Sequence, residues 1–415
     1  MSRYFYLLCL ILPCCAAANV NVIDVTFCER IQNALSLLES ENSVQRVDSS
    51  YTCEVAPRSW LFGLRPDDAF SMPIIIKPKA LLNKRKASSE NVKPVLLLSP
   101  KWSDAYDEAS ATIIDQFTNK GLLREYILFN YQGQESQADN MIKQAERSGV
   151  ELIFSVGSAV TEYMTQTYSD GSIPVVTACS KDPYSIGQVD PAIGMSQNNI
   201  AYTSLNISVE TQVSYLKEQF LYHLKKIVVI YDQANTSSII TQVKPLENYL
   251  KNDEFGIELD KIKVDLTRVE ETLYQPMERV VDLSKDSGDT VFLITGSTEL
   301  FNLIGYVNYF AGHVPILSVT PSHVNEGDKS VFVSIGVSFR TNAKLAADYG
   351  ARIIQGLAKT ETLPVGVVSM PDISINFLRK PSYQLKVPFS FFEDSSFIYN
   401  YHGEAVRRNG ATVVR

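Results

Sequence analysis

The chain has 415 residues, with 38 Lys and Arg against 46 Asp and Glu for a formal net charge of −8. Both signs are interspersed along it, so it lacks the basic face that nucleic acid binding needs. Length and ordinary globular composition predict two or three domains.

Residues 1–18 read as a secretory signal peptide. Arg3 is the one charge, Tyr4 to Leu12 is apolar, and Ala16-Ala17-Ala18 offers a small-residue cleavage site before Asn19. The apolar stretch is too short to cross a bilayer, so the mature protein is expected in the periplasm. Cys14 leaves a lipid anchor as the lesser alternative, because Pro13 is a poor fit to the small residue that such processing wants. Without the signal, Cys28, Cys53 and Cys179 remain. Export permits a disulfide, and Cys28 and Cys53 lie close together in an otherwise isolated segment, which makes them the natural pair. A bridge over that loop stabilises by roughly 3 kcal/mol in the chain-entropy treatment. Cys179 reads as a small buried residue at a strand end. A catalytic thiol needs a histidine, and the sequence places none of His223, His313, His323 or His402 to serve.

Residues 19–90 form an N-terminal extension with no assignable role. Cys28 to Leu38 predicts a helix, with Ile31, Leu35 and Leu38 on one face. Pro57 to Pro78 is broken by proline and glycine, and Lys84-Arg85-Lys86 sits in a polar connector that reads as a solvated linker.

From Val92 the pattern becomes regular. Strands are expected at Pro94 to Leu98, Tyr126 to Phe129, Leu152 to Val156 and Pro174 to Ala178, with helices at Ala105 to Phe117, Ser136 to Arg147 and Ala159 to Tyr168. Strand, helix and strand over Glu151 to Pro183 predict a right-handed crossover in a parallel sheet. Ligands of such sheets bind at the carboxyl ends of the strands. Gly157-Ser158 and Thr177-Ala178 stand at two such ends and supply space and hydroxyls, although a tight turn alone also explains a Gly-Ser pair.

The alternation restarts after Asn198 to Thr203. Helices are expected at Val209 to Leu224, Ser238 to Leu250, Met277 to Ser284, Glu299 to Phe310 and Asn342 to Leu357. Strands are expected at Ile227 to Tyr231, Ile262 to Leu266, Thr290 to Thr295, Pro315 to Val319 and Val331 to Val337. Two successive α/β sets, each able to bury a core, follow from this order.

The pieces SVGSAV, IPVVTACSKDP, KKIVVIYDQANTSS, DTVFLITGSTELFN and VPILSVTPSHVNEGDKSVFVSIGVSFRTNAKLAADYGARIIQG occur in order across Val92 to Tyr399. In them the chain resembles the substrate-binding proteins of ABC transporters with the type I periplasmic-binding fold, and more closely the subfamily that includes aromatic amino acid binders. Cys179-Ser180-Lys181 and Asp232-Gln233 depart from what that family tends to carry near its cleft. The resemblance implies two Rossmann-like lobes with parallel sheets, joined by a multi-strand hinge and closing over a small molecule. It implies residues 91–200 with 328–360 as the first lobe, and 201–327 with 361–415 as the second lobe and tail.

By position, the first lobe should offer Ser99, Ser158 and Thr177, and the second Tyr231, Ser237, Thr295, Ser297 and Thr320. Asp182 would take an ammonium group, while helix N-termini after Gly157 and Thr236 would take a carboxylate. That pairing suits a zwitterion such as an amino acid. For each residue alone, a capping or structural role is at least as good a reading.

No nucleophile elbow, Walker loop, dinucleotide fingerprint or metal-spaced Cys/His cluster stands at a strand–helix junction. No enzymatic activity, cofactor or metal is therefore expected, and the resemblance implies a monomeric binder that hands its ligand to the membrane permease of an ABC importer. The alternative is the same fold acting as a sensor for a separate signalling protein.

Overall fold

The computed structural model describes residues 20–41, 51–56, 72–82, 92–220, 223–251, 256–285, 288–380 and 387–413. The expected signal peptide, Cys14 and the Lys84-Arg85-Lys86 linker lie outside them.

The first sheet holds β1 (Tyr51–Val55), β2 (Ile74–Pro78), β3 (Val95–Ser99), β4 (Tyr126–Asn130), β5 (Leu152–Val156), β6 (Val175–Ala178) and β7 (Ile200–Ala201), in the order β1-β2-β4-β3-β5-β6-β7. The strands from β4 to β7 are parallel. Continuous apolar runs such as Val95-Leu96-Leu97-Leu98 and Leu152-Ile153-Phe154 are buried on both faces, as central strands of a helix-covered parallel sheet must be.

The N-terminal segment is not an isolated appendage. Ile74, Ile75 and Ile76 pair antiparallel with β4, and β1 pairs antiparallel with β2, so the segment extends the first sheet by two strands. The helix Val20–Glu41 buries Phe27, Ile31, Leu35 and Leu38 in the same core as Phe117 and Phe154. Cys28 and Cys53 are disulfide-bonded, with Cα atoms 5.8 Å apart, which ties this helix to β1. Cys179 is free and buried.

The second sheet holds β8 (Lys226–Asp232), β9 (Glu258–Val264), β10 (Thr290–Ile294), β11 (Ile316–Ser318), β12 (Val333–Gly336), β13 (Asp372–Asn376), β14 (Ser395–Tyr399), β15 (Ala405–Arg408) and β16 (Ala411–Thr412). Its order is β16-β15-β14-β13-β12-β11-β10-β8-β9, parallel from β9 to β12. The block 328–360, expected in the first lobe, divides between the two. Val333 and Ile335 share one face of β12, between its neighbours β11 and β13, and pack there in one core with Leu317 and Ile373. The helix Phe339–Ile354 turns back onto the first lobe. Its small-residue stripe, Ala343, Ala346, Ala347 and Gly350, is buried in that core, against the helix Asp104–Asn119 and β6.

The chain thus passes between the sheets after β7, after β12 and before β13. Asn342, fully buried, joins these passages: its Oδ1 accepts from Cys179 N (2.6 Å) and Thr203 Oγ1 (3.2 Å), and its Nδ2 donates to Ser204 O (2.9 Å). Ser204 N donates to Gly366 O, and Gly366 N to Tyr202 O, each at 2.8 Å. On the other side, Asp372 at the start of β13 accepts from Ser338 N (2.8 Å) and Thr341 Oγ1 (3.1 Å), the first residues of the returning helix.

A Cβ on Gly350 would lie 2.5 Å from Phe154 Cζ and 2.9 Å from Leu152 Cδ2. Gly350→Val is therefore expected to cost about 2 kcal/mol or more through overpacking, outweighing the helix propensity gained over glycine. Chemical denaturation checks this, and an unchanged or raised unfolding free energy contradicts the packing described.

Candidate functional site

The carboxyl ends of strands from both sheets face one cavity of about 520 Å³. From the first sheet come Lys101, Trp102 and Tyr106 after β3, Ser158 after β5, and Cys179 and Lys181 after β6. From the second come Gln242 and Thr241 on the helix after β8, Gly296, Ser297 and Phe301 after β10, and Thr320 and His323 after β11. Asn206, Gln212, Val337 and Phe339, on the passages or the elements beside them, complete much of the wall.

The loop after β6 sets the centre of the site. Cys179 adopts the left-handed conformation (φ 57°), which is rare for a residue with a Cβ and is held here by the bond from its N–H to Asn342. This bend turns Lys181 into the cavity. Lys181 N donates to Ser158 Oγ (3.2 Å), and Asp182 N donates to Asn206 Oδ1 (3.0 Å), so the backbone on both sides of the ammonium stem is fixed. Lys181 Nζ makes no hydrogen bond or ion pair among the described residues. Burial without a counter-charge brings its pKa down from 10.5 to about 8.

Across the cavity stands Gly296. Lys181 Nζ, Thr320 Oγ1 and Gln242 Nε2 lie 3.2, 3.1 and 3.3 Å from where a Cβ on Gly296 would sit. Gln242 is oriented by its other end, where Oε1 accepts from Gly296 N (2.9 Å) and Ser238 Oγ (3.0 Å), which leaves its amide N–H groups free. A cation, a hydroxyl and an amide donor thus converge beside a residue with no side chain.

The remaining walls are aromatic. Tyr106 packs over Gly157, where a Cβ would meet its hydroxyl at 2.7 Å, and lies 6.3 Å edge-on from Phe339. Desolvation raises the Tyr106 phenol to about 12. Phe301 stacks on His323 at 4.6 Å between centroids. His323 Nδ1 lies 2.7 Å from Ser318 Oγ, and burial, reinforced by the Lys181 charge, lowers its pKa to about 3, so it stays neutral. Trp102 is held from behind by the N-terminal helix: Phe27 meets it edge-on at 4.5 Å, and the Arg30 guanidinium sits 5.3 Å above its ring. Arg30 is itself ion-paired to Asp107 (2.6 Å) and Asp104 (3.0 Å).

Of the residues expected from sequence, Ser158, Ser297 and Thr320 line the cavity. Ser99, Thr177, Asp182, Tyr231, Ser237 and Thr295 are not among its walls. Thr177 is fully buried and bonded across strands: its Oγ1 accepts from Thr203 N (2.8 Å), while Thr203 Oγ1 donates to Thr177 O (2.6 Å). The Thr295 hydroxyl donates to Ile230 O (3.3 Å), knitting β10 to β8. Asp182 turns its carboxylate into its own loop, accepting from Ser185 N (2.9 Å) and Ser185 Oγ (2.5 Å). Tyr231 is half-buried opposite Lys263 of β9, and the Ser237 carbonyl accepts from Thr241 Oγ1 (2.9 Å). Ser99 ends β3 with its carbonyl accepting from Tyr131 N (3.2 Å). Sequence reasoning did not select Lys181, Gln242, Trp102 or Phe301. For Lys181 a signal existed, since Cys179-Ser180-Lys181 departs from the pattern the chain otherwise resembles.

No protein-family model and no curated protein matches the chain. Solved structures do. A ligand-free, open substrate binding protein with adhesive properties from Clostridium difficile superposes with a TM-score of 0.57 at 18% identity, covering 71% of this chain and 98% of that one. A conserved domain protein from Vibrio cholerae gives 0.56 at 18% identity, covering 74% and 100%. The ABC domain in complex with L-Trp from Streptococcus pneumonia gives 0.52 at 16% identity, covering 73% and 99%. The chain has the two-lobed type I periplasmic-binding fold of these structures. Among the described residues no helix is long and apolar enough to cross a membrane, and no group of His, Cys, Asp and Glu is placed to hold a metal.

The electrostatics give a prediction of definite sign. A lysine lowered from 10.5 to about 8 binds fewer protons folded than unfolded between those values, so its cost to the ligand-free protein is complete below pH 8 and fades as pH rises towards 10.5. Lys181→Met should make the ligand-free protein more stable at pH 7 by about 1–3 kcal/mol, allowing for water at the cavity wall, with a smaller gain at pH 9.5. Urea denaturation at both pH values checks this, and a variant less stable than the parent at pH 7 contradicts it. Thr177→Val should cost about 1–3 kcal/mol by orphaning the Thr203 N–H. Calorimetry at a temperature where the variant is folded should find ligand affinity unchanged.

Proposed function

We propose that the chain is an exported solute-binding protein. It captures a small metabolite of amino-acid size between its lobes and delivers it to the permease of an ABC importer. One observation carries this reading: a cavity walled by strand ends of both sheets, at a junction where the chain crosses between lobes more than once. Such a junction lets two rigid bodies rotate about a few residues while the walls approach or part. The cavity size, the aromatic walls and the few convergent polar groups are those of a small-molecule site. The resemblance to binding proteins, one of them in complex with L-Trp, supports the same reading. In the proposed division the N-terminal segment and the helix Phe339–Ile354 move with the first lobe, and β12 to β16 with the second.

A thermal-shift screen against amino acids, nucleosides and small organic acids should find a stabilising compound. At 100 times its dissociation constant, such a compound adds roughly 2.7 kcal/mol. Small-angle scattering with that compound should then show a smaller radius of gyration than without it. Saturation without any change in radius argues against lobe closure, and a screen with no stabilising compound argues against the cavity as a binding site.

A further inference from the structure

Resting on that reading, we infer that the ligand is a net anion, an aromatic monocarboxylate without an ammonium group, rather than a zwitterionic amino acid. The charge on the cavity wall is one-sided. Lys181 stands inside it and Lys101 at its exposed edge, and no Asp or Glu is among the described residues that line it. The nearby carboxylates are directed elsewhere. Asp182 is bonded to Ser185, Glu299 is exposed and accepts from Ser297 Oγ (3.5 Å), and Glu108 lines an adjoining pocket with Ser338 and Arg340 that shares Thr320 and Phe339 with this one.

The neutral groups have the same bias. Lys181 Nζ, Gln242 Nε2 and Thr320 Oγ1 crowd the face of Gly296 as donors with no acceptor of their own among the described residues. The side-chain carbonyls on the wall have little capacity left for an ammonium. Asn206 Oδ1 accepts from Asp182 N, and Gln242 Oε1 accepts from Gly296 N and Ser238 Oγ. Gln212 adds one further amide, and one neutral carbonyl does not replace a counter-ion for a desolvated ammonium. An α-ammonium beside the Lys181 charge would be repelled as well as unpaired. A carboxylate can accept from these groups and supplies the charge that Lys181 lacks. Trp102, Tyr106, Phe301 and Phe339 then enclose an aromatic ring, and a cavity of about 520 Å³ accommodates a ligand with one or two rings.

The test uses matched compounds on the whole mature protein, by isothermal calorimetry at pH 7. Indole-3-propionate and 3-phenylpropionate are L-tryptophan and L-phenylalanine without the ammonium, while tryptamine lacks the carboxylate. At least one of the two acids is expected to bind about tenfold or more tightly than its parent amino acid, and tryptamine not at all. Lys181→Met and Gly296→Ala should each weaken that acid by about tenfold or more. Because Lys181→Met is expected to stabilise the ligand-free fold, its loss of binding is not a loss of structure. An amino acid that binds more tightly than its deaminated partner overturns the inference, and if it also compacts the protein the two-lobed binding function stands without it. If neither acid binds, the inference falls; if no compound of the wider screen binds either, the binding function falls with it.

Discussion

One buried amide ties the chain's passages between the two halves of this molecule to the first lobe. Asn342 sits at the start of the helix that returns from the second sheet to the first, and bonds Cys179, Thr203 and Ser204 on two other parts of the crossing region. A buried amide with several partners has few alternative arrangements, since each broken bond leaves a polar group without water. The bond to Cys179 N also holds a left-handed residue in place, and that residue aims Lys181. The same side chain therefore orders the hinge and orients the cation of the cavity, so that movement of the lobes and the shape of the site share one support.

The alternation of apolar strands and amphipathic helices was legible because each β-α unit is a local pattern. The parallel strands β3 to β6, β8, β10 and β11 fall where their apolar runs stand in the sequence, whereas β9 begins at Glu258, four residues before the expected Ile262, because as an edge strand it is largely polar and exposed. What was not legible depends on pairing across long separations. Nothing near Ile74-Ile75-Ile76 reveals that β4, some fifty residues later, is their neighbour. Val333 and Ile335 could belong to either sheet until the partner strands are known. The cavity residues split for a related reason. A hydroxyl at a strand end is equally able to point at a ligand or to knit the sheet, and Thr177 and Thr295 knit while Ser158 and Thr320 face the cavity. Long side chains such as Lys181 and Gln242 reach the site from loops and helix faces whose direction only the assembled fold sets.

The N-terminal segment shows how an addition at a sheet edge can affect a distant surface. Its strands cap the open edge of β4, which would otherwise present unpaired backbone groups. Its helix carries Phe27 and Arg30 to the back of Trp102, whose other side is cavity wall. The disulfide fixes this helix to β1, so the indole rests on a covalently secured support. A segment that looked separate in sequence is one layer removed from the binding surface.

The unpaired ammonium of Lys181 has a consequence for how an empty protein behaves among filled ones. That charge is already partly desolvated; bringing the lobes closer removes the water that still reaches it, and without a counter-ion nothing replaces that water. On the proposed function, closing without cargo is therefore disfavoured, whereas a bound carboxylate removes the obstacle. A transporter that responds to the closed shape would then seldom answer an empty copy, even where empty copies greatly outnumber loaded ones. One side chain would in that way protect the system against idle cycles of energy use, a safeguard separate from how tightly the ligand is held.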